Sequence, residues 1–167
     1  MSLDRPKELL KPVKRRFIFL TFVIAVLIEL VPLPHGSTRW LPDFIGLLIL
    51  YWVINQPRRV NIGVAFLMGI VADVSTAGLF GQHALAYSAT AFLALSRQRQ
   101  LVMFNLGQQA LVVLGLMTMN QFIMVVVRML TGSAFVGWSY FLPPLIGALL
   151  WPLLTKLMLI PYRHHSA

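Results

Sequence analysis

Two apolar runs, joined by the short break Gln56-Pro57-Arg58-Arg59, constrain this chain more than any other feature of its sequence. They read LLILYWVIN before the break and VNIGVAFLMGIVADV after it. Proline ends the first run, and positive residues are retained on the cytoplasmic side of a membrane. The pattern therefore predicts a cytoplasmic turn between two membrane helices.

The composition excludes an ordinary soluble globule. Of the 167 residues, 58% are hydrophobic and 11% are charged, and the mean hydropathy is +0.78, which leaves too little polar surface to cover a soluble domain. The net charge of +9 would suit nucleic acid if the basic residues formed one face. The basic residues lie between the apolar runs instead, so we predict no nucleic-acid partner. Cysteine is absent from the sequence, which removes thiolate and disulfide chemistry.

Six apolar segments are candidates for membrane-spanning helices, for which about 20 residues are needed. Breaks rich in proline, glycine or arginine separate them. They lie at residues 17–33, 41–55, 60–74, 83–95, 110–127 and 141–160, and the second, third and fourth are short. The predicted fold is an all-α integral membrane protein, a single polytopic bundle. Its membrane domain is residues 17–160, between a basic cytoplasmic segment at 1–16 and a short cytoplasmic tail at 161–167.

The distribution of lysine and arginine predicts that both termini lie in the cytoplasm (N-in/C-in). With six spans in that orientation, only Arg39 and Arg128 of the 14 basic residues lie outside. Removing one span would break this alternation, which favours counting the short segments as spans. A single helix between Arg99 and Arg128 would measure about 44 Å, more than the ~30 Å hydrocarbon core. We therefore expect residues 100–109 to be partly interfacial.

Ionisable residues near the predicted outer ends of the helices are the first candidates for a functional site. A charge at the bilayer centre costs about 2.5–3.5 kcal/mol, so an intramembrane ion is a functional candidate by default. The residues that could form an outer polar cluster, together with Asp73 at a similar depth, are Glu29, Asp43, His83 and Arg128. The alternative is that these groups lie at the interface and contact water or lipid headgroups.

Two further pairs are candidates for partner or packing contacts. Gly69 and Asp73 are one helical turn apart and project from the same side of a helix. They either fix a contact with a partner or serve ordinary helix packing, with Asp73 capping the loop at 75–81. Trp151 and Pro152 predict a kink in the last span, because proline removes a backbone donor. Such a kink could serve as a hinge or a docking notch.

The basic turn Pro57-Arg58-Arg59 has two interpretations. It could bind anionic lipid headgroups or a cytoplasmic partner, or its charges could serve topology alone. No motif for catalysis accompanies it: the sequence has no HExxH and no G-x-S-x-G, and its histidines do not form a ligand set. We predict that the chain is not an enzyme and takes no metal or cofactor.

Several short motifs follow one another in an order and spacing that carry a family resemblance. They are Tyr51-Trp52, Pro57-Arg58-Arg59-Val60-Asn61, the series Gly69, Asp73, Gly78 and Gly81, then Gln108-Gln109-Ala110-Leu111-Val112-Val113, and Leu150-Trp151-Pro152. With its size and six apparent spans, the chain resembles the rod shape-determining protein MreD family of bacteria. The resemblance implies a multi-pass scaffold of the bacterial inner membrane, within the cell-elongation machinery. It would couple MreC and the MreB cytoskeleton to lateral peptidoglycan synthesis by RodA and its penicillin-binding transpeptidase.

A transport role is the main alternative. MreD-like proteins resemble in architecture the substrate-binding membrane subunits of energy-coupling-factor transporters. In that interpretation the outer ionisable residues and Asp73 would line an outward-facing pocket for a small polar molecule. Convergence of these groups on one cavity would favour it. A third interpretation, a lipid-handling enzyme, would require a polar cluster that reaches the lipid headgroups.

Overall fold

A computed structural model describes residues 13–31, 41–76, 78–135 and 137–163, with side chains as far as Leu159. Every regular element in those ranges is helical. They are α1 (Arg15–Glu29), α2 (Phe44–Asn55), α3 (Ile62–Ser75), α4 (Gln82–Ser96), α5 (Gln98–Met103), α6 (Leu106–Leu130), a 3-10 turn (Trp138–Phe141) and α7 (Leu142–Arg163). Of the predicted terminal segments at 1–16 and 161–167, residues 1–12 and 164–167 lie outside the described residues, as does Arg39.

Each of the six predicted segments overlaps one of the longer helices, which confirms the all-α fold. Two helical segments, Leu106–Leu130 and Trp138–Leu159, are long and apolar enough to cross a bilayer. By contrast, α2 has 12 residues and α3 has 14, so they measure about 18 and 21 Å. The prediction that these segments are short is correct, and the count of six spans stays a prediction.

The centre of the bundle is α2. Every residue from Ile45 to Ile54 is buried, as expected for a helix that is apolar on all sides. Its neighbours include α1, α4, α5, α6 and α7. At its C-terminal end, the indole Nε1 of Trp52 donates to the hydroxyl of Thr21 at 3.0 Å. The short second segment is therefore the core of the molecule, enclosed by the other helices.

The outer faces of the bundle are apolar. Phe19 is 72% exposed and Leu149 is 80% exposed, and many other large apolar side chains on α1, α3 and α6 share this exposure. A soluble monomer rarely exposes apolar surface on this scale, whereas lipid tails and partner helices cover it. The surface agrees with a membrane protein.

The segment before α6 is not continuous with it. Residues 98–103 form the separate helix α5, and α6 begins after Asn105, whose side chain accepts from the Gln108 backbone at 2.8 Å. In turn, Gln108 Oε1 accepts from the Asn105 backbone N–H, which completes a capping box. Gln98 ties α5 to the end of α2 by donating to the Ile54 carbonyl at 2.8 Å. A single helix from Arg99 to Arg128 is thereby excluded.

Candidate functional site

The helices α3 and α4 touch at backbone level through Gly69. A Cβ atom at this position would lie 2.3 Å from the Cα atom of Ala84, a distance that real Cβ atoms do not adopt. Gly69 is buried, and glycine lets the two backbones approach this closely. This contact fixes where α4 begins relative to α3.

The carboxylate of Asp73 caps the start of α4. Gly81 begins that helix with a positive φ of 96° and offers no side chain, so Asp73 supplies the acceptor. Its Oδ2 accepts from the Gly81 backbone at 2.8 Å, and its Oδ1 accepts from the His83 backbone at 3.0 Å. Carboxylates at a helix N-terminus are favoured because they satisfy unpaired N–H groups and the helix dipole. Asp73 is 1% exposed, so the packing interpretation accounts for its side chain.

The predicted outer cluster does converge on one cavity, at the end of the bundle where α1 ends and α2 begins. The cavity has a volume of about 510 Å³. Its lining includes all four residues singled out from the sequence, namely Glu29, Asp43, His83 and Arg128. We call this the polar cavity. Asp73 lies behind its wall, where its Oδ1 is 2.7 Å from His83 Nδ1.

Asp43 is held on one side of the polar cavity by donors from three helices. It begins α2 and accepts from the Gly46 backbone at 2.7 Å. The Tyr87 hydroxyl of α4 donates to Asp43 Oδ1 at 2.7 Å, and the Asn120 amide of α6 donates to Oδ2 at 3.2 Å. These bonds join three elements through one carboxylate. Tyr87 and Asn120 were not predicted, although a buried asparagine within the apolar run of α6 is a signal that could have found the second.

Glu29 and Arg128 complete the ionisable lining. Glu29 Oε1 accepts from the Ile45 backbone at 3.2 Å, which links the end of α1 to the start of α2. Arg128 Nε donates to Gln82 Oε1 at 3.0 Å, and its guanidinium carbon lies 5.4 Å from the centre of the Tyr140 ring. The polar cavity therefore contains two carboxyl groups and one guanidinium, with the His83 ring beside them.

Gln121 leaves an unpaired acceptor at this cavity. Its amide Nε2 donates to the Tyr140 carbonyl at 3.0 Å, while its Oε1 is buried without a hydrogen-bond partner among the described residues. A buried acceptor left unpaired costs about 1–3 kcal/mol, which a donor from a bound molecule or water would recover. Gln121 lines the polar cavity. The lining suits a small polar molecule that carries hydrogen-bond donors.

A metal ion is not what the described side chains are arranged to hold. Within the described ranges, no three or more His, Cys, Asp or Glu residues form a group suited to one. The pair of Asp73 and His83 is engaged in capping α4.

The remaining predicted residues lie away from the polar cavity. Trp151 is fully buried, packs 6.2 Å from the Tyr51 ring and donates to Gln109 Oε1 at 3.4 Å. Pro152 is half-buried within α7, which continues through it. The basic turn lies at the other end of α2, where Arg58 is exposed.

The sequence matches one family model over residues 13–160, described as rod shape-determining protein MreD. One relative is the rod shape-determining protein MreD of Haemophilus influenzae. It is 32% identical over 137 residues, which cover 82% of this chain and 85% of that protein. No solved structure matches the chain.

Proposed function

Because the chain belongs to the rod shape-determining protein MreD family, we propose that it is a scaffold of the cell-elongation machinery. In this role it joins MreC and the MreB cytoskeleton to RodA and its penicillin-binding transpeptidase, which build lateral peptidoglycan. The observation that carries the proposal is the match over residues 13–160, which include every described helix except the last turn of α7. Family membership itself supports a role in determining rod shape.

The proposed setting is the bacterial inner membrane, crossed six times with both termini in the cytoplasm. The exposed apolar faces of α1, α3 and α6 support a lipid environment. The positions of Arg58 and Arg97 support the orientation, because each follows a helix that would end on the cytoplasmic side. Short helices fit this setting if the bundle thins the bilayer around it.

A scaffold needs faces for partner helices, and this bundle supplies them. Helices in a membrane associate through close packing of their side chains rather than through the hydrophobic effect. On α7, Leu149 and Leu153 form an exposed apolar stripe one turn apart. We propose that MreC or the synthase packs on such a stripe. Members of this family are shape-determining proteins, and we assign no catalytic residue.

Co-purification tests this proposal. The tagged full-length protein is extracted from native membranes in mild detergent, and the proteins that accompany it are identified by mass spectrometry. We expect MreC and the peptidoglycan synthase, with less of both when Leu149 and Leu153 are replaced by alanine. The matched control is Leu111→Ala with Leu130→Ala, which changes exposed leucines of α6. Recovery of neither protein with the wild type would contradict the scaffold.

A second function is favoured by one specific observation, the convergence of Glu29, Asp43, His83 and Arg128 on the polar cavity. A substrate-binding subunit of an energy-coupling-factor-like transporter would need such a pocket for a small polar molecule. The unpaired Oε1 of Gln121 supports a ligand that donates hydrogen bonds. This function predicts co-purification of a transmembrane coupling subunit and ATPases in place of MreC.

Ligand binding is measured by a screen of small polar molecules for a rise in the unfolding temperature of the purified protein. If the protein is of the transporter type, we expect its ligand to raise the unfolding temperature of the wild type but not that of Gln121→Leu. The control Gln100→Leu changes an exposed glutamine of α5 and should keep the rise. If no molecule raises the unfolding temperature and no coupling subunit co-purifies, the transport function is rejected.

A further inference from the structure

A second cavity lies between α1 and α3, at the surface of the bundle. Its volume is about 600 Å³. Most of its walls are apolar: Phe19, Val23 and Leu27 of α1 face Leu67 and Val71 of α3 across it. All five of these side chains are exposed, between 36% and 72%. The space is mostly apolar, which suits a hydrocarbon chain.

One end of this space is strongly basic. Arg15 of α1 and the turn residues Arg58 and Arg59 line it. Arg59 donates to the Val13 carbonyl, which holds its guanidinium next to the residues that precede α1. Arg15 and Arg58 are exposed. We call the apolar walls and these three arginines together the basic groove.

The arginines of the basic groove have no acidic partner in the described part of the chain. The three described carboxylates belong to Glu29, Asp43 and Asp73, and all lie at the opposite ends of their helices. Asp73 contacts the His83 ring, which is also at that opposite end. The described residues therefore supply no negative charge to balance the arginines of the groove.

We propose that the basic groove binds one anionic phospholipid. The phosphate contacts Arg15 and Arg58, and an acyl chain lies along the walls formed by α1 and α3. Guanidinium groups bind phosphate oxygens in a bidentate, charge-assisted geometry, and basic clusters next to membrane helices attract anionic headgroups. An apolar partner helix would fill the walls but leave the three arginines without a counter-charge. The charge therefore selects the lipid, independently of the proposed scaffold.

Native mass spectrometry of the full-length protein in detergent tests this site. The probes are dioleoyl phosphatidylglycerol, which is anionic, and dioleoyl phosphatidylcholine, which has no net charge. We expect the wild type to retain one phosphatidylglycerol at a concentration about ten times lower than phosphatidylcholine requires. The variant Arg15→Gln with Arg58→Gln should lose this preference. The matched control is Arg97→Gln with Arg99→Gln, two exposed arginines outside the groove, and it should keep the preference.

A second variant separates the groove from general charge. Leu67→Trp places a larger side chain in the wall without changing any charge, and we expect it to reduce phosphatidylglycerol binding at least several-fold. Leu67→Trp also tests the site if the arginine variant does not fold. Circular dichroism and size-exclusion chromatography would show such a failure to fold. Equal retention of the two lipids by the wild type would overturn the proposal. So would an equal loss in the control at Arg97 and Arg99, or unchanged binding in Leu67→Trp.

Photo-crosslinking in cells tests the competing occupant. A crosslinking amino acid replaces Val23 at the wall of the basic groove. We expect lipid adducts on the purified protein. A crosslink to a single protein at high yield, without lipid adducts, would assign the groove to a partner helix and overturn the lipid site.

Discussion

Oδ1 of Asp73 lies 2.7 Å from Nδ1 of His83, and this contact joins the capped start of α4 to the polar cavity. The carboxylate accepts from the ring and from the backbone of the same residue. A neutral imidazole bonded in this way carries its proton on Nδ1 and leaves Nε2 as an acceptor. Asp73 is thus a positioning residue for one wall of the cavity as well as a cap.

Replacement of Asp73 by asparagine should destabilise the bundle. Asparagine keeps one acceptor oxygen, but its NH₂ group cannot accept from the backbone N–H that the other carboxylate oxygen now satisfies. We expect a loss of about 1–3 kcal/mol, the cost of leaving a buried donor unpaired. Denaturant unfolding in detergent measures it, with Ser75→Ala as the control, because the Ser75 hydroxyl bonds to the Val71 carbonyl within the same helix. Unchanged stability together with weakened MreC co-purification would instead assign Asp73 to a partner contact.

Replacement of Gly69 by alanine should force α3 and α4 apart. The added Cβ would meet the backbone of Ala84 at 2.3 Å, and backbone cannot rotate away as a side chain can. We expect a loss of about 3 kcal/mol, in the upper part of the range for overpacking. Gly115→Ala is the matched control, because a Cβ there meets nothing within 4 Å. Equal unfolding temperatures for the two variants would contradict the close approach.

The bond between Tyr87 and Asp43 should appear as coupling in a double-mutant cycle. Tyr87→Phe removes the hydroxyl that donates at 2.7 Å, and Asp43→Ala removes the acceptor, whereas an asparagine oxygen could still accept the bond. We expect about 1–2 kcal/mol of coupling, because neighbours in one network are not additive. The control cycle pairs Tyr87→Phe with Thr118→Ala, an exposed residue of α6, and should be additive. Additivity in both cycles would show that the bond does not form.

Trp151 should behave as a core residue and not as a docking site. Its ring is fully buried, and its indole bonds to Gln109. Trp151→Ala should cost about 3–5 kcal/mol, as expected for a large core side chain, while Trp138→Ala should be nearly neutral because Trp138 is 83% exposed. Thermal unfolding followed by scattering compares the two. If Trp151→Ala is stable but no longer co-purifies with its partners, the docking interpretation is supported instead.

The sequence predicted the helices well because apolar runs and their breaks are local features. Each predicted segment overlaps a helix, and the segment at 83–95 differs from α4 by one residue at each end. The separate helix α5 was missed, although Asn105 and Gln108 have the capping-box spacing that marks a new helix start at α6. Hydropathy could not show that α2 is enclosed on all sides, because an apolar helix has the same hydropathy whether it faces lipid or protein.

The candidate site was predicted in part. Glu29, Asp43, His83 and Arg128 were selected for their expected depth, and the structure places all four around one cavity. The partners of Asp43 were missed, since Tyr87 and Asn120 are uncharged and reach it through tertiary packing. The role of Asp73 as a cap depends on Gly81, eight residues later in the chain and outside the usual cap spacing. Such a contact requires the geometry of two helices.

Depletion of this protein in the bacterium that encodes it, followed by measurement of cell width and length, tests the central claim most directly. We expect rods to become round, and a plasmid copy of the wild type or of Gly115→Ala to restore them. Gly69→Ala, which disturbs the contact of α3 with α4, should restore them poorly. Depleted cells that remain rods of normal width while the protein is absent from their membranes would contradict a role in determining rod shape.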